Sequence, residues 1–250
     1  MAHFHLADDL GDGDLAVGRV VALGVAESRH AVTVGRIRAG EGLLVGDGRG
    51  TIASCTVTTA DPQRLELRVD GVEEHPEPSP RVVLVQALAK GDRDELAVQA
   101  ATELGVDAVI PWQAQRSVSR WEGAKVAKGR DRWRAIVREA VKQSIRPRVP
   151  EVEGLATTKD LVRMAATARV LVLDPTAGTR LSALDLSAPA DGEPADVLLV
   201  VGPEGGISPA EVEALRAAGA IPVALGSGIL RTSTAGPAAL ALVNAALGRW

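Results

Sequence analysis

Residues 197–248 read VLLVVGPEGGISPAEVEALRAAGAIPVALGSGILRTSTAGPAALALVNAALG. The apolar run Val197–Val201 has the form of a strand buried on both faces, as in a parallel sheet. It passes directly into Gly202-Pro203-Glu204-Gly205-Gly206, where glycines permit unusual dihedrals and a close approach of backbone to a ligand. Ser208 then stands as a helix N-cap, with Pro209 at the first position and Glu211 three residues on, a full capping box; Gly219 ends that helix. A second short strand, IPVAL (221–225), enters another glycine loop, Gly226-Ser227-Gly228, followed by Ile229, Leu230, Arg231 and Thr232. Glycine loops at the C-terminal ends of parallel strands are where an open α/β sheet places its ligand. From about Thr234 to Leu247 the chain is apolar almost all round, with Asn244 its only strongly polar residue. Such a helix must be buried on several sides, within its own domain, against a second subunit, or both.

Upstream, the same alternation of strand and helix continues. RVVLVQALA (81–89) reads as a buried strand, and the helix after it is capped by Asp92. Asp94 and Glu95 favour the positive end of that helix, and Leu96, Ala100 and Leu104 form one face before Gly105 stops it. DAVIP (107–111) is the next strand, a long helix runs to about Ser144, and ARVLVLD (168–174) is a further strand. The segment SAPADGEPAD (187–196) reads as a Pro/Gly/Asp-rich loop. This order predicts a largely parallel sheet covered by helices. Neither G-x-G-x-x-G nor G-x-x-x-x-G-K-[ST] is present, which disfavours a dinucleotide fold or a P-loop.

The first 72 residues have a different pattern. GLLVGDG, TIASCTV and RLELRV alternate apolar and polar residues between glycine-containing turns, as in a small β-barrel or sandwich. EEHPEPSP (73–80) carries prolines at every second position from 76 to 80 and reads as a stiff linker. The organisation expected is therefore 1–72, a linker at 73–80, and an α/β domain at 81–250.

Cys55 is the only cysteine, so no internal disulfide forms, which suits a reducing compartment. The start, MAHFHLADDL, lacks a basic leader and apolar run, no apolar stretch reaches membrane-spanning length, and the reading is cytoplasmic. His3, His5, His30 and His75 lack metal-ligand spacing; an ordinary strand explains His3 and His5 as well as ligation does, and no metal is expected. The net charge is −4, yet the stretch from Arg116 to Arg148 holds eleven basic residues against Glu122, Asp131 and Glu139. Such a block reads either as a footprint for phosphates or as a solvated helix laced with ion pairs, and the shortage of local acids favours phosphates.

GPEGGISPAEVEAL and LGSGILRTSTA resemble the two signature blocks of the 16S ribosomal RNA uridine-N3 methyltransferase family (RsmE type), in the SPOUT superfamily. ALAKGDRDELAVQAATELGVDAVIP and RWRAIVREAVKQSIRPRVPEV resemble further family segments, and SRHAVTVGRIRAGE is a looser match. The resemblance implies an α/β fold with an N-terminal PUA-like β-barrel and a C-terminal trefoil-knotted domain that binds S-adenosylmethionine and forms a homodimer. The implied substrate is 16S ribosomal RNA, within the assembled small subunit; the alternatives are a non-catalytic RNA-binding protein of the same fold, or a SPOUT enzyme acting on another RNA. Two departures from the family pattern are Ser233, often Glu, and Ala100, often Lys.

By the same resemblance three loops hold the cofactor: Leu173 and Asp174; Gly202, Pro203, Glu204, Gly205 and Gly206; and Leu225, Gly226, Ile229, Leu230, Arg231 and Thr232. Arg231 is the candidate for stabilising a developing imide anion, with a loop-capping arginine as the alternative. Glu204 is the nearest carboxylate for a base, or else a ligand of loop amides. Arg116, Arg132, Arg138, Gln143 and Arg146 are the candidates for RNA contact, with Gln143 and Arg146 read as i and i+3 on one helical face. Trp121 and Trp133 read as base-stacking platforms or as core residues.

Overall fold

The computed structural model describes residues 3–7, 10–11, 13–186 and 195–250. Most of the loop expected at 187–196 lies outside the described residues. The chain divides into two compact units, 1–77 with 141–149, and 78–140 with 150–250. This division differs from a single cut between 72 and 81, because residues 141–149 group with the first unit.

The first unit is built from β1 (Phe4–Leu6), β2 (Val20–Ala22), α1 (Val25–Arg29), β3 (Gly42–Gly46), β4 (Thr51–Asp61) and β5 (Arg64–Glu74). Its strands form one sheet in the order β1-β3-β4-β5-β2, antiparallel except for the β1–β3 pair. In β4 and β5 the inward positions Ala53, Cys55, Val57, Leu65, Leu67 and Val69 are buried, as period-2 alternation requires. β5 runs on through Glu73 and Glu74, so the expected linker begins as strand; its backbone remains on the β4 ladder at Thr51 and Ile52. His5 is buried, and its Nδ1 lies 3.0 Å from Glu27, which also receives Lys142 at 3.1 Å. The carboxylate thus engages His5 and the basic residue that ends the long helix α3 (Ala124–Ser144).

The second unit contains β6 (Val82–Ala87), α2 (Arg93–Glu103), β7 (Ala108–Trp112), β8 (Glu151–Val152), α4 (Thr158–Met164), β9 (Arg169–Leu173), β10 (Val197–Val201), α5 (Pro209–Ala217), β11 (Ile221–Val223) and α6 (Thr232–Ala246), with the first part of α3. Its sheet has the order β11-β9-β10-β6-β7-β8, and every pairing is parallel. β6, β7 and β10 are buried along their whole length, which is why they read as unbroken apolar runs. The capping box on α5 is formed as expected, with the Ser208 hydroxyl accepting the Glu211 amide and the Glu211 carboxylate accepting the Ser208 amide.

Three local expectations are corrected. Asp92 occupies the N-cap position of α2 in a left-handed conformation (φ 57°) and makes no side-chain cap bond. The buried Asp94 instead accepts the amides of Ala89 and Glu95; burial raises its pKa, an effect those bonds only partly offset. The buried face of α2 is Ala97, Val98, Ala101 and Thr102, whereas Leu96 is exposed. Arg146 is not on a helical face with Gln143: α3 ends at Ser144, Ile145 is left-handed (φ 53°), and the Arg146 amide returns to Val141 O in a Schellman-type closure.

Candidate functional site

β11, β9 and β10 are adjacent and parallel, so their C-terminal ends share one edge of the sheet. The loops leaving Leu173, Val201 and Val223 enclose a cavity of about 760 Å³. Of the residues read as cofactor-binding, Leu173, Asp174, Gly202, Pro203, Glu204, Gly206, Leu225, Ile229, Leu230, Arg231 and Thr232 line it, and Gly205 and Gly226 do not.

Each loop is held by local bonds. Asp174 accepts the amide and hydroxyl of Thr176 at 2.8 and 2.7 Å, and its own amide donates to Val223 O, which ties the first loop to the third. The second loop closes through the Gly206 amide onto Pro203 O, with Gly206 at φ +69°. At Gly202 a Cβ would fall 2.7 Å from Ile207 Cγ1 and 3.1 Å from Ile207 N, so close approach is what demands glycine there. Neither Gly226 nor Gly228 has a left-handed φ or a crowded Cβ position, so the third loop does not need its glycines for conformation.

Glu204 turns away from base chemistry. Its carboxylate accepts the Lys90 amide and the Arg93 guanidinium, both at 3.1 Å. Burial works to raise its pKa, but bonds from its own amide, from Lys90 and from Arg93 outweigh that and hold it below the usual glutamate value. A carboxylate so stabilised as the anion is a poor proton acceptor; Glu204 braces the loop between β6 and α2 against the second glycine loop. Arg116 supports the same loop by donating to Gly205 O at 3.0 Å, and it lines the cavity together with Arg93. Arg231 sits at the N-cap position of α6, and its side chain makes no hydrogen bond or ion pair among the described residues, which removes the loop-capping alternative.

The basic block is more paired than its own acids allowed, because its partners come from elsewhere in the chain. Arg132 meets Glu95 at 2.5 Å and Asp92 at 3.6 Å, Lys142 meets Glu27, and Arg130 donates to Val152 O; within the block Arg134 meets Asp131. Trp133 is buried with its ring 5.4 Å from that of Trp121 in an edge-on pair, so Trp133 is a core residue and not a stacking platform. Arg93 is a site residue missed in the sequence, and Gln86 adjoins the site through its bond to Thr232. Nothing in the pattern marks Arg93, whereas Gln86 is the one polar residue in the apolar run 82–88. Among the described residues no cluster of metal-ligating side chains occurs, and no helix is long and apolar enough to cross a membrane.

Residues 75–244 match the model of an RNA methyltransferase domain, and residues 23–70 that of an RNA methyltransferase PUA domain. A Mycobacterium bovis protein named ribosomal RNA small subunit methyltransferase E is 47% identical over 93% of this chain and 89% of its own. The chain belongs to this RNA methyltransferase family. A Bacillus subtilis member of the same name is 33% identical over 87% of each chain. Among solved structures, ribosomal RNA small subunit methyltransferase E from Neisseria gonorrhoeae bound to S-adenosyl methionine superposes with a TM-score of 0.85, at 28% identity and 98% coverage of both chains. A putative methyltransferase from Legionella pneumophila, in complex with the same cofactor, gives the same score, identity and coverage. The expected fold class, a parallel-sheet SPOUT methyltransferase domain with a PUA-like domain, agrees with the family models and these neighbours.

Proposed function

We propose that the chain transfers a methyl group from S-adenosylmethionine to N3 of one uridine in 16S ribosomal RNA. The observation that carries this reading is the three-loop cavity at the strand ends, with Arg216 and Arg231 on its wall free of side-chain partners among the described residues. Its apolar lining of Leu173, Val201, Pro203, Ile207, Val223 and Leu225 suits the faces of a nucleoside, and its volume of about 760 Å³ accommodates one with an amino-acid tail. Asp174, Glu213, Arg216 and Arg231 on the same wall suit polar and charged groups.

Bound there, S-adenosylmethionine supplies a sulfonium methyl group to an in-line nucleophile. The residues of the chain hold and orient. Backbone groups of the 202–206 and 225–232 loops fix the ligand, and such positioning contributes about 7–11 kcal/mol to reactions of this kind. The uracil N3 proton passes to solvent, and the Arg231 guanidinium stabilises the imide anion that attacks the methyl group. Glu204 serves as a brace and takes no proton.

In this reading residues 1–72 bind RNA through the PUA-like fold, 73–80 connect, and 81–250 form the methyltransferase domain, trefoil-knotted and dimeric. The loop after β9 bridges to the residue that follows β11, with Thr179 O accepting the Ala224 amide and Ala224 O accepting the Leu181 amide, a contact in keeping with the knot. Dimerisation is supported by the outer side of α6 and the loop before it, where Ile229 (84%), Leu230 (42%) and Leu242 (40%) remain exposed. Arg116, Arg132, Arg138, Gln143 and Arg146 contact RNA. The target is 16S RNA within the assembled small subunit, in the cytoplasm. The test is mass-spectrometric mapping of methylated nucleosides in small-subunit RNA from cells with and without the protein. A 3-methyluridine that disappears with the protein is expected; an unchanged modification pattern refutes the reading.

A further inference from the structure

Gln86 is fully buried in β6, where the other five residues are apolar. Such an amide is costly to bury unless it is hydrogen-bonded, and here Nε2 is bonded while Oε1 has no partner among the described residues. Both hydrogens on Nε2 are spent, one on Ala87 O at 3.1 Å and one on the Thr232 hydroxyl at 2.9 Å. The Thr232 hydroxyl in turn donates to Gly202 O at 2.8 Å. Because Nε2 can only donate, it fixes the Thr232 oxygen as acceptor on that side and directs the hydroxyl hydrogen to Gly202.

This chain of bonds joins the end of β6, the first residue of the second glycine loop and the first residue of α6, where the third loop ends. Gly202 and Thr232 line the cavity. The junction has little slack. A Cβ on Gly236 would lie 2.8 Å from Leu84 Cδ1 and 3.3 Å from Val201 Cγ2, so the first turns of α6 lie directly on β6 and β10.

We infer that Gln86 is a positioning residue for methyl transfer: acting through the Thr232 hydroxyl, it sets the spacing of the two glycine loops that hold the cofactor. The inference rests on the proposed function, since it assigns the loops to S-adenosylmethionine. Gln86 itself touches neither ligand nor substrate.

The test is a double-mutant cycle on the full-length protein, read as the S-adenosylmethionine dissociation constant by titration calorimetry and as the single-turnover methylation rate. Gln86→Met conserves volume while removing the amide, Thr232→Val removes the hydroxyl, and Thr232→Ser keeps it. Loss of one used hydrogen bond predicts binding weakened about 3- to 10-fold in Gln86→Met and in Thr232→Val. The double mutant is expected to be no weaker than the weaker single, and Thr232→Ser to stay within about two-fold of wild type. Additive losses, or wild-type affinity and rate in Gln86→Met, overturn the role of Gln86, because a residue that only fills the core has no reason to depend on the Thr232 hydroxyl. Gln86→Leu repeats the measurement if thermal unfolding finds Gln86→Met unfolded; if neither folds, wild-type affinity in Thr232→Val overturns the inference. Wild-type protein that gives no heat with S-adenosylmethionine instead refutes the proposed function itself.

Discussion

Replacing Gly202 with alanine is the sharpest probe of the second loop. The added Cβ would meet Ile207 Cγ1 at 2.7 Å, Ile207 N at 3.1 Å and Gly206 C at 3.3 Å. The first contact can be relieved by turning a side chain, but the other two are backbone, so the loop itself has to open. Overpacking of this kind costs about 1–3 kcal/mol. That cost falls on the conformation that lines the cavity, so the S-adenosylmethionine dissociation constant is expected to rise by about 5- to 150-fold. Gly206→Ala meets no atom within 4 Å but forces alanine to φ +69°, at a cost of about 1–2 kcal/mol. Gly226→Ala and Gly228→Ala meet neither obstacle and are expected to bind as wild type does. Titration calorimetry with thermal unfolding on all four variants is the assay. Unchanged binding in Gly202→Ala, or damage in Gly226→Ala equal to that in Gly202→Ala, refutes the account of why these loops carry glycine.

Three further predictions concern charge. Arg231→Ala is expected to lose most methyl transfer while cofactor affinity stays within a few-fold, and Glu204→Gln to keep the single-turnover rate within about ten-fold, since removing a true general base costs about 10²–10⁴. A larger loss in Glu204→Gln, or cofactor loss as the main effect of Arg231→Ala, reverses those roles. Replacing Arg132, Arg138 and Arg146 with Gln is expected to weaken RNA binding and flatten its salt dependence by roughly one unit of slope per lost phosphate contact; filter binding across salt concentrations tests this. In the first unit burial opposes ionisation of Glu27, but bonds and charge from His5 and Lys142 prevail and lower its pKa from 4.5 to about 2. The stability this contributes is present above pH 4.5 and is lost as pH falls toward 2, and Glu27→Gln should abolish that acid limb in unfolding midpoints measured against pH.

The parts of the fold legible in the sequence were those set by local pattern. The buried parallel strands, the Ser208–Glu211 capping box and the end of α3 at Ser144 all follow from residues adjacent in the chain. What escaped depends on contacts between distant segments. Asp94 rather than Asp92 bonds the start of α2, and Lys90 and Arg93 beside it bond Glu204, more than a hundred residues away. The shortage of acids around the basic block was misleading for the same reason: Glu27 and Glu95 are remote in sequence from Lys142 and Arg132. At the site, motif resemblance located the three loops, but the apparent need for glycine at 226 and 228 has no counterpart in the backbone.

The charge lining the cavity bears on how a uridine would be activated there. Its carboxylates are Asp174, Glu204 and Glu213, and its cations are Arg93, Arg116, Arg216 and Arg231. Asp174 is committed to the amide and hydroxyl of Thr176, and Glu204 to Lys90 and Arg93 with a lowered pKa. Arg93 is neutralised by Glu204, and Arg116 is spent on a carbonyl. Arg216 and Arg231 have no side-chain partner among the described residues, and Arg231 adjoins the Thr232–Gly202 contact. Asp174 and Glu204 are thus committed, Glu213 alone of the three carboxylates is not, and the Arg231 guanidinium is well suited to holding the imide anion that remains once the proton has left. Methyl transfer on this scheme should therefore quicken with rising pH in proportion to imide ionisation, and Arg231→Lys, which keeps charge but not the planar fork, should recover only part of the rate. A rate independent of pH across that range would mean that a base, Glu213 on the cavity wall or a group on the RNA, takes the proton.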